Sequence, residues 1–240
     1  MNLKLYANLI SEPCRAGCQT PAALLSLRRM GLEGEAGRVG TRSDELWLAD
    51  LQVTRVLGEN PNGYVPVLKD DDFSLYEGNA ILTYLADKCG WTDLYPTNPK
   101  ARAKVNEYLH WHHRNPRLST TKAIRPLIAK ILGGATPEDL VALKKKDEVI
   151  TKSVEFIEKF LVKDYVAQSN APTLADYALY CELDQLEIAK VYDFSRFSKT
   201  AAWIERMKQI PFHDEVYEPL VEFINTITPK ELIAESTVQH

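Results

Sequence analysis

The stretch Asn60–Lys88 reads NPNGYVPVLKDDDFSLYEGNAILTYLADK and carries the pattern of two short strands followed by a helix. The run Val65–Leu68 is apolar and partly β-branched, although Pro66 cannot donate a hydrogen bond to a sheet. Lys69–Asp72 has the composition of a turn, and Phe73–Leu75 alternates like a half-buried strand. We therefore predict a β-hairpin in this stretch.

The helix of the same stretch is expected to begin at Glu77-Gly78-Asn79. The residues that follow include an apolar series with helical spacing: Ala80, Ile81, Tyr84 and Leu85. A proline just before a hairpin also suggests a cis bond between Val65 and Pro66. Such a bond would turn the backbone groups of Val65 outward, where an extended ligand could pair with them.

The residues before this stretch predict a small sheet with helices on both faces. Leu3–Ala7 alternates like a strand, and Pro13 suits the first position of a helix that ends at Gly31. A short strand around Ala36–Val39 and a ragged helical pattern over Ser43–Leu57 follow. The resulting order, βαβ, then α, then ββα, is that of an α/β domain.

The residues after this stretch predict a second domain. Cys89–Pro99, CGWTDLYPTNP, is rich in turn-forming residues. We predict an α/β domain over residues 1–88, a linker over 89–99 and an all-helical domain over 100–240. Its expected helices are Lys100–His113, a helix from Thr136 to Phe160, a buried helix behind the capping box Thr173–Asp176, and Phe197–Ile210.

The composition is that of a globular protein with a sizeable core, since 45% of the 240 residues are hydrophobic and 26% are charged. The net charge is −4, and the chain has no basic block other than Lys144–Lys146, so its charge pattern does not favour nucleic-acid binding. No apolar run is long enough to span a bilayer, and Met1–Tyr6 runs directly into a strand pattern. We expect a cytoplasmic protein without a membrane partner. Its four cysteines are then expected to be free thiols: Cys14, Cys18, Cys89 and Cys181.

Three motifs resemble the glutathione transferase family. The pattern V-P-x-L, a hairpin and L-x-E-G-x-A-I-x-x-Y-L, within Val65–Leu85, resembles its glutathione-binding half. Leu9–Ala16, LISEPCRA, is similar to the S-x-P-[CS]-R-A signature of the serine-type theta class, and Ala171–Tyr177, APTLADY, resembles the capping box of its central buried helix. The resemblance implies a thioredoxin-like N-terminal domain joined to an all-α C-terminal domain.

The resemblance also implies how glutathione is held. The backbone of Val65, before Pro66, would pair with the glutathione peptide, and Glu77 with the backbone N–H of Gly78 would hold its γ-glutamyl end. The family usually has a serine where this chain has Gly78, so one hydroxyl is missing. Two candidates for the glycyl carboxylate are Gln52 and Arg55.

The activity implied is conjugation of the glutathione thiolate to a hydrophobic electrophile lodged between the domains, with possible reduction of hydroperoxides. The candidate electrophile residues are Leu9, Arg114 and Arg117. Glutathione would be a co-substrate, no cofactor is implied, and the protein would be a homodimer. His110 and His113 share a helix face, but no carboxylate or cysteine nearby completes a ligand set, so no metal is expected.

Ser11 is the candidate catalytic residue. A free thiol has a pKa of about 8.5, so only a few per cent is thiolate at neutral pH. A hydroxyl that donates to the sulfur stabilises the charged form and lowers this pKa, and the positive end of a following helix adds to the effect. Alternatively, Ser11 merely caps that helix, because serine before a proline at the first helical position is a good cap.

Two other functions stay open from the sequence. Cys14, in the first turn of the same expected helix, could form mixed disulfides with glutathione, although omega-like relatives carry that cysteine before the proline, where this chain has Glu12. The missing hydroxyl at Gly78 favours a non-catalytic module of the same fold that binds ligands or mediates assembly.

Overall fold

The computed structural model describes residues Leu3–Tyr6, 60–63 and 66–227. The chain divides into two compact units, Met1–Pro96 and Thr97–His240. The predicted strand at Ala36–Val39 and the predicted helices over 13–31 and 43–57 lie outside the described residues. The domain boundaries at residues 88 and 100 stay predictions.

The described part of the first unit is a three-stranded antiparallel sheet followed by a helix. Strand β2 lies in the centre and pairs with β1 on one side and β3 on the other. The central strand is more buried than β3, and its Val67 and Leu68 are completely shielded from solvent. The strands and the helix have these bounds: β1 Leu3–Tyr6, β2 Val67–Asp70, β3 Phe73–Tyr76 and α1 Gly78–Cys89.

The turn of the predicted hairpin is shorter than the sequence indicates. Asp70 pairs with Phe73, so the loop contains only Asp71 and Asp72. Asp71 has a φ of 53°, a conformation that aspartate tolerates better than most residues. Predicting Lys69 and Asp70 as turn residues was therefore wrong. Tertiary contacts hold Asp70 in the strand, because its carboxylate is bonded to two side chains of α1.

Helix α1 ends at a glycine with a left-handed backbone. Gly90 has a φ of 68°, and the N–H of Trp91 donates to the carbonyl of Ala86 at 2.9 Å. This arrangement satisfies a carbonyl that the helix end would otherwise leave unpaired. On its inner face α1 buries Ile81, Leu82, Leu85 and Ala86.

The described part of the second unit is helical. Its helices are α2 Pro99–His112, α3 Arg117–Ser119, α4 Arg125–Ile131, α5 Pro137–Lys144, α6 Lys146–Phe160, α7 Leu174–Ile188, α8 Ser198–Lys208 and α9 His213–Ile227. A π-helical turn, Thr120–Ile124, separates α3 from α4. Among the residues that the structure describes, no helix combines the length and the apolar character needed to cross a bilayer.

The sequence predicted one helix between Thr136 and Phe160, and this was wrong. The chain bends at Lys145, whose N–H donates to the carbonyl of Ala142 in a tightened turn, so that α5 and α6 are separate helices. The two helices differ in burial, which the periodicity of the sequence does not reveal. Helix α5 buries none of its residues, whereas α6 buries Ile150, Val154 and Ile157.

Helix α7 is the core of the second unit. Every residue from Leu174 to Leu186 is buried, as the apolar circumference of its sequence predicted. The predicted capping box is present at its start. Asp176 accepts hydrogen bonds at Oδ2 from the N–H of Thr173 at 2.8 Å and from its hydroxyl at 2.9 Å.

Candidate functional site at one edge of the sheet

Three chain segments meet at one edge of the sheet. Tyr6, at the end of β1, pairs with Val67, and Val67 pairs on its other side with Tyr76. The end of β1, the start of β2 and the end of β3 therefore lie at the same edge of the sheet. Pro66 and Glu77, which lie directly outside the last pair, are brought next to each other across the hairpin.

Glu77 lies at this edge with an unusual backbone. Its φ is 75° and its ψ 113°, although glutamate has no local means of favouring a positive φ. Such conformations cost of order 1–3 kcal/mol and persist where the surrounding structure imposes them. The side chain of Glu77 is exposed and makes no capping hydrogen bond to α1. The strained backbone therefore presents a carboxylate to solvent at the edge of the sheet.

The start of α1 supplies hydrogen-bond donors beside this carboxylate. The first hydrogen bond of the helix runs from the N–H of Ile81 to the carbonyl of Glu77 at 3.0 Å. The N–H of Gly78, the first residue of α1, has no carbonyl one turn back in the helix. This helix start carries the positive end of the helix dipole. A carboxylate next to such donors suits a ligand with an ammonium group and a carboxylate on the same carbon.

A charged cluster ties the other end of the hairpin to α1. The Asp70 carboxylate accepts hydrogen bonds from the hydroxyl of Tyr84 and from the ammonium of Lys88. The hydrogen bond from Lys88, helped by that from Tyr84, lowers the pKa of Asp70 below its usual range. The sequence interpretation missed this cluster. The sequence feature that could have revealed it is the spacing of Tyr84 and Lys88, which places both residues on one face of the helix.

We expect Asp70→Asn to lower the melting temperature by a few degrees at neutral pH. A carboxyl whose folded-state pKa is depressed contributes stability above its unfolded value of about 3.9, and this contribution is lost as the pH falls through the folded value. The difference between wild type and variant should therefore close below about pH 4. Thermal unfolding followed by circular dichroism across this pH range checks it, and a difference that persists in acid would contradict the role of Asp70.

Many of the predicted site residues lie outside the described part of the chain. These are Leu9, Ser11, Gln52, Arg55 and Val65, together with the alternative nucleophile Cys14. The predicted cis bond before Pro66 also involves one of them. Pro66 itself is buried and lies just before β2, and Glu77 and Gly78 lie at the same edge of the sheet.

Arg117, predicted for the electrophile site, takes part in a buried ion pair of the helical unit. Its Nη1 donates to Oε1 of Glu182 at 3.2 Å, and Nε2 of His112 lies 3.2 Å from the same oxygen. The hydroxyl of Thr120, at the start of the π-helical turn, donates to the other oxygen. Burial by itself would raise the pKa of Glu182, but His112, Arg117 and Thr120 together lower it. Arg117 thus has a structural partner, whereas Arg114 is exposed.

Of the histidines at the end of α2, His112 has a packing role, whereas His110 and His113 are exposed. His112 is buried next to Tyr108, with its Nδ1 at 3.3 Å from the tyrosine hydroxyl. Trp111 packs against the rings of Phe156 and Phe160. Within the described ranges, no group of histidine, cysteine or acidic side chains is arranged to hold a metal ion.

Comparison with known proteins connects this edge of the sheet to a family. The model of the glutathione S-transferase N-terminal domain matches residues 54–87, and that of the C-terminal domain matches residues 120–211. The first match contains β2, β3 and most of α1. The second contains the π-helical turn and the buried helix α7.

Individual proteins are similar over nearly the whole chain. Glutathione S-transferase T1 of Arabidopsis thaliana is 31% identical over 245 residues, which cover 92% of this chain and 89% of that protein. Glutathione S-transferase T2 of the same plant is 30% identical, but the matched region covers only 37% of its length. The structure of human glutathione transferase theta-2, a complex with glutathione and an unknown ligand, has a TM-score of 0.74 and 27% identity, covering 94% of this chain and 90% of that one.

These similarities confirm the predicted fold class, a thioredoxin-like domain joined to an all-helical one, and the resemblance to theta-class enzymes. The enzyme class predicted from the sequence is confirmed by the same relatives. The chain belongs to the glutathione S-transferase family.

Proposed function

We propose that this protein conjugates the thiolate of glutathione to hydrophobic electrophiles. The observation that carries the proposal is the meeting of three segments at one edge of the sheet, where Glu77 has a strained backbone beside the start of α1. Tyr6, the last residue of β1, is paired at this edge, and Ser11 follows it five positions later in the sequence. Binding groups and a hydroxyl would then lie on one side of the bound tripeptide.

The γ-glutamyl end of glutathione has the chemistry that this edge would bind. Its ammonium would pair with the carboxylate of Glu77, and its carboxylate would accept hydrogen bonds from the N–H groups at the start of α1. The peptide backbone of glutathione would lie along Val65 and Pro66, and Gln52 or Arg55 would bind the glycyl carboxylate. Ser11 would then donate a hydrogen bond to the sulfur.

Glutathione is proposed as the co-substrate, without a further cofactor, in a cytoplasmic homodimer. Reduction of hydroperoxides by the same thiolate is a second proposed reaction. Leu9, Arg114 and Arg117 remain the proposed electrophile residues. Of these, Arg117 is the weakest candidate, because Glu182 already binds its guanidinium.

Glu77→Gln tests the binding half of the proposal. The amide keeps the size of the side chain but removes the charge that pairs with the ammonium, so we expect the affinity for glutathione to fall about tenfold or more. Isothermal titration calorimetry measures it. Glu138→Gln is a matched control, because Glu138 is also an exposed acid at a helix start, that of α5. Equal affinities of wild type and Glu77→Gln would refute the assignment.

A non-catalytic binding module is the second candidate function. The observation in its favour is Gly78, which offers only its backbone N–H at the first position of α1, where the family usually has a serine hydroxyl. Calorimetry with glutathione and a rate measurement with an aryl halide separate the two candidates. Binding of glutathione together with its conjugation to the aryl halide supports the enzyme. The absence of glutathione binding at millimolar concentration supports the module.

A further inference from the structure

Helices α4 and α5 form a hairpin that is hardly buried. Only Pro126 is buried in α4, and α5 buries no residue. The turn between the helices is tight, with Gly133 at a φ of 76° and the N–H of Gly134 donating to the carbonyl of Ala129 at 2.8 Å. A Cβ atom added to Gly133 would meet no atom within 4 Å, so the turn borders open space. We call residues Lys122–Lys145 the α4–α5 hairpin, a range that also includes the buried Ala123 and Ile124 at the end of the π-helical turn.

The hairpin exposes aliphatic side chains. Leu132 is 61% exposed, Val141 54% and Leu140 44%. Four more aliphatic residues of the two helices are only half-buried: Leu127, Ile128, Ile131 and Leu143. Single exposed apolar residues are ordinary on protein surfaces, so the feature to explain is that three of them occur together in one short hairpin.

The charge of the hairpin is opposite to that of the whole chain. The chain carries a net charge of −4, yet five of the seven charged residues of the hairpin are basic. All five basic side chains are exposed: Lys122, Arg125, Lys130, Lys144 and Lys145. One of the two acids, Asp139, already accepts hydrogen bonds from the N–H and the hydroxyl of Thr136. The surface therefore suits an anionic partner.

We propose that the α4–α5 hairpin docks on the surface of anionic lipid bilayers. Its lysine and arginine side chains would contact lipid phosphates and carboxylates, while Leu132, Leu140 and Val141 enter the headgroup region. A protein partner fits less well, because protein interfaces are enriched in aromatic residues and depleted of lysine, whereas this hairpin has no aromatic residue and four lysines. The sequence-based expectation of no membrane partner rested on the lack of a segment long enough to span a bilayer. Docking on the surface of a bilayer does not need such a segment.

Co-sedimentation of the full chain with lipid vesicles tests the docking. Vesicles of phosphatidylcholine mixed with phosphatidylserine should bind the protein, pure phosphatidylcholine should bind it far more weakly, and raising the salt concentration should release it. The double variant Lys144→Gln/Lys145→Gln should bind about 30-fold more weakly. Each basic residue at the membrane surface contributes about 1 kcal/mol, and each 1.4 kcal/mol corresponds to about a tenfold change in affinity. Leu132→Ser/Val141→Ser should weaken binding at least about tenfold.

A matched control comes from the exposed residues that follow α6. Val162 is 67% exposed and the neighbouring Lys163 is exposed as well, so Val162→Ser/Lys163→Gln changes the same chemistry at another place. This control should bind vesicles as the wild type does, and equal loss in the control and hairpin variants would overturn the proposal. Failure of the wild type to bind anionic vesicles at low salt would overturn it too. Binding to polyglutamate without binding to vesicles would instead assign the hairpin to an acidic protein. Loss of self-association in the hairpin variants, again without vesicle binding, would assign it to a second copy of the chain.

Discussion

Replacement of Ser11 by alanine is expected to lower kcat/KM for glutathione conjugation about 10- to 100-fold while the fold remains intact. A hydrogen bond to a charged group contributes about 1.5–3 kcal/mol, and each 1.36 kcal/mol corresponds to a factor of ten in rate. The hydroxyl would act as a donor to the thiolate and not as a nucleophile. Its loss should therefore reduce the fraction of bound glutathione that is ionised at neutral pH.

The pH dependence of the rate distinguishes this role from a structural one. Without the Ser11 hydroxyl the pKa of the bound thiol should rise by about one to two units, toward the value of about 8.5 for a free thiol. The activity of Ser11→Ala should then recover at alkaline pH, whereas loss of a mere helix cap would lower stability and leave the pH profile unchanged. Stopped-flow rates with an aryl halide across pH, together with thermal unfolding, separate these outcomes.

Two further variants control this experiment. Ser11→Thr keeps the hydroxyl and should retain part of the activity. Cys14→Ser should leave conjugation unchanged, because the thiolate in the proposed reaction belongs to glutathione. If Cys14→Ser abolished a disulfide exchange activity that Ser11→Ala left intact, the protein would be a thiol oxidoreductase and the assignment of Ser11 would be wrong.

Replacement of Asp176 by alanine is expected to destabilise the protein by about 3–5 kcal/mol. The carboxylate is fully buried and holds two helices and a loop together. Its Oδ1 accepts the N–H of Val166 at 2.9 Å and the indole N–H of Trp203 at 3.0 Å, and its Oδ2 accepts both hydrogen bonds from Thr173. Burial raises the pKa of Asp176, and these donors oppose the rise.

The destabilisation follows from the donors that remain. In Asp176→Ala the N–H groups of Val166 and Trp203 stay buried without this acceptor, and each unsatisfied donor costs about 1–3 kcal/mol. The melting temperature should fall by roughly 10 °C, since 1 kcal/mol corresponds to about 2–4 °C in a chain of this size. Asp176→Asn, which keeps an acceptor oxygen, should lie between wild type and alanine.

Denaturant unfolding followed by tryptophan fluorescence and circular dichroism measures this effect. Glu155→Ala is a suitable control, because Glu155 is an exposed acid in the middle of α6. Its unfolding midpoint should match that of the wild type. An Asp176→Ala midpoint equal to that of the control would show that the packing of α7 compensates for the lost carboxylate.

Features with short-range causes could be predicted from the sequence. The two strands around Asp71-Asp72, the start of α1 at Glu77 and the capping box at Thr173 each depend on residues a few positions apart. The candidate site could be proposed from the sequence because its motifs are local segments, and the sheet register places the segment of Pro66 next to that of Glu77. The positive φ of Glu77 was not predicted, since no glycine or asparagine marks it.

Features with long-range causes were missed. The bend at Lys145 interrupts a pattern that looks continuous in the sequence, and the π-helical turn at Thr120 was not predicted. Glu182 is a charged residue in a helix that is buried on all sides, which is the signal that it needs partners, but nothing in the sequence identifies them as His112 and Arg117.

The sequence by itself determined the two kinds of domain, the hairpin that precedes α1 and the cap of the buried helix, because local hydrogen bonds and apolar periodicity encode them. Only the tertiary structure decided what the buried acids bind. Asp70 bonds to Tyr84 and Lys88, and Asp176 to the indole of Trp203. The physical reason is that a carboxylate removed from water must find donors wherever the packed chain offers them, and packing brings together residues that are distant in sequence.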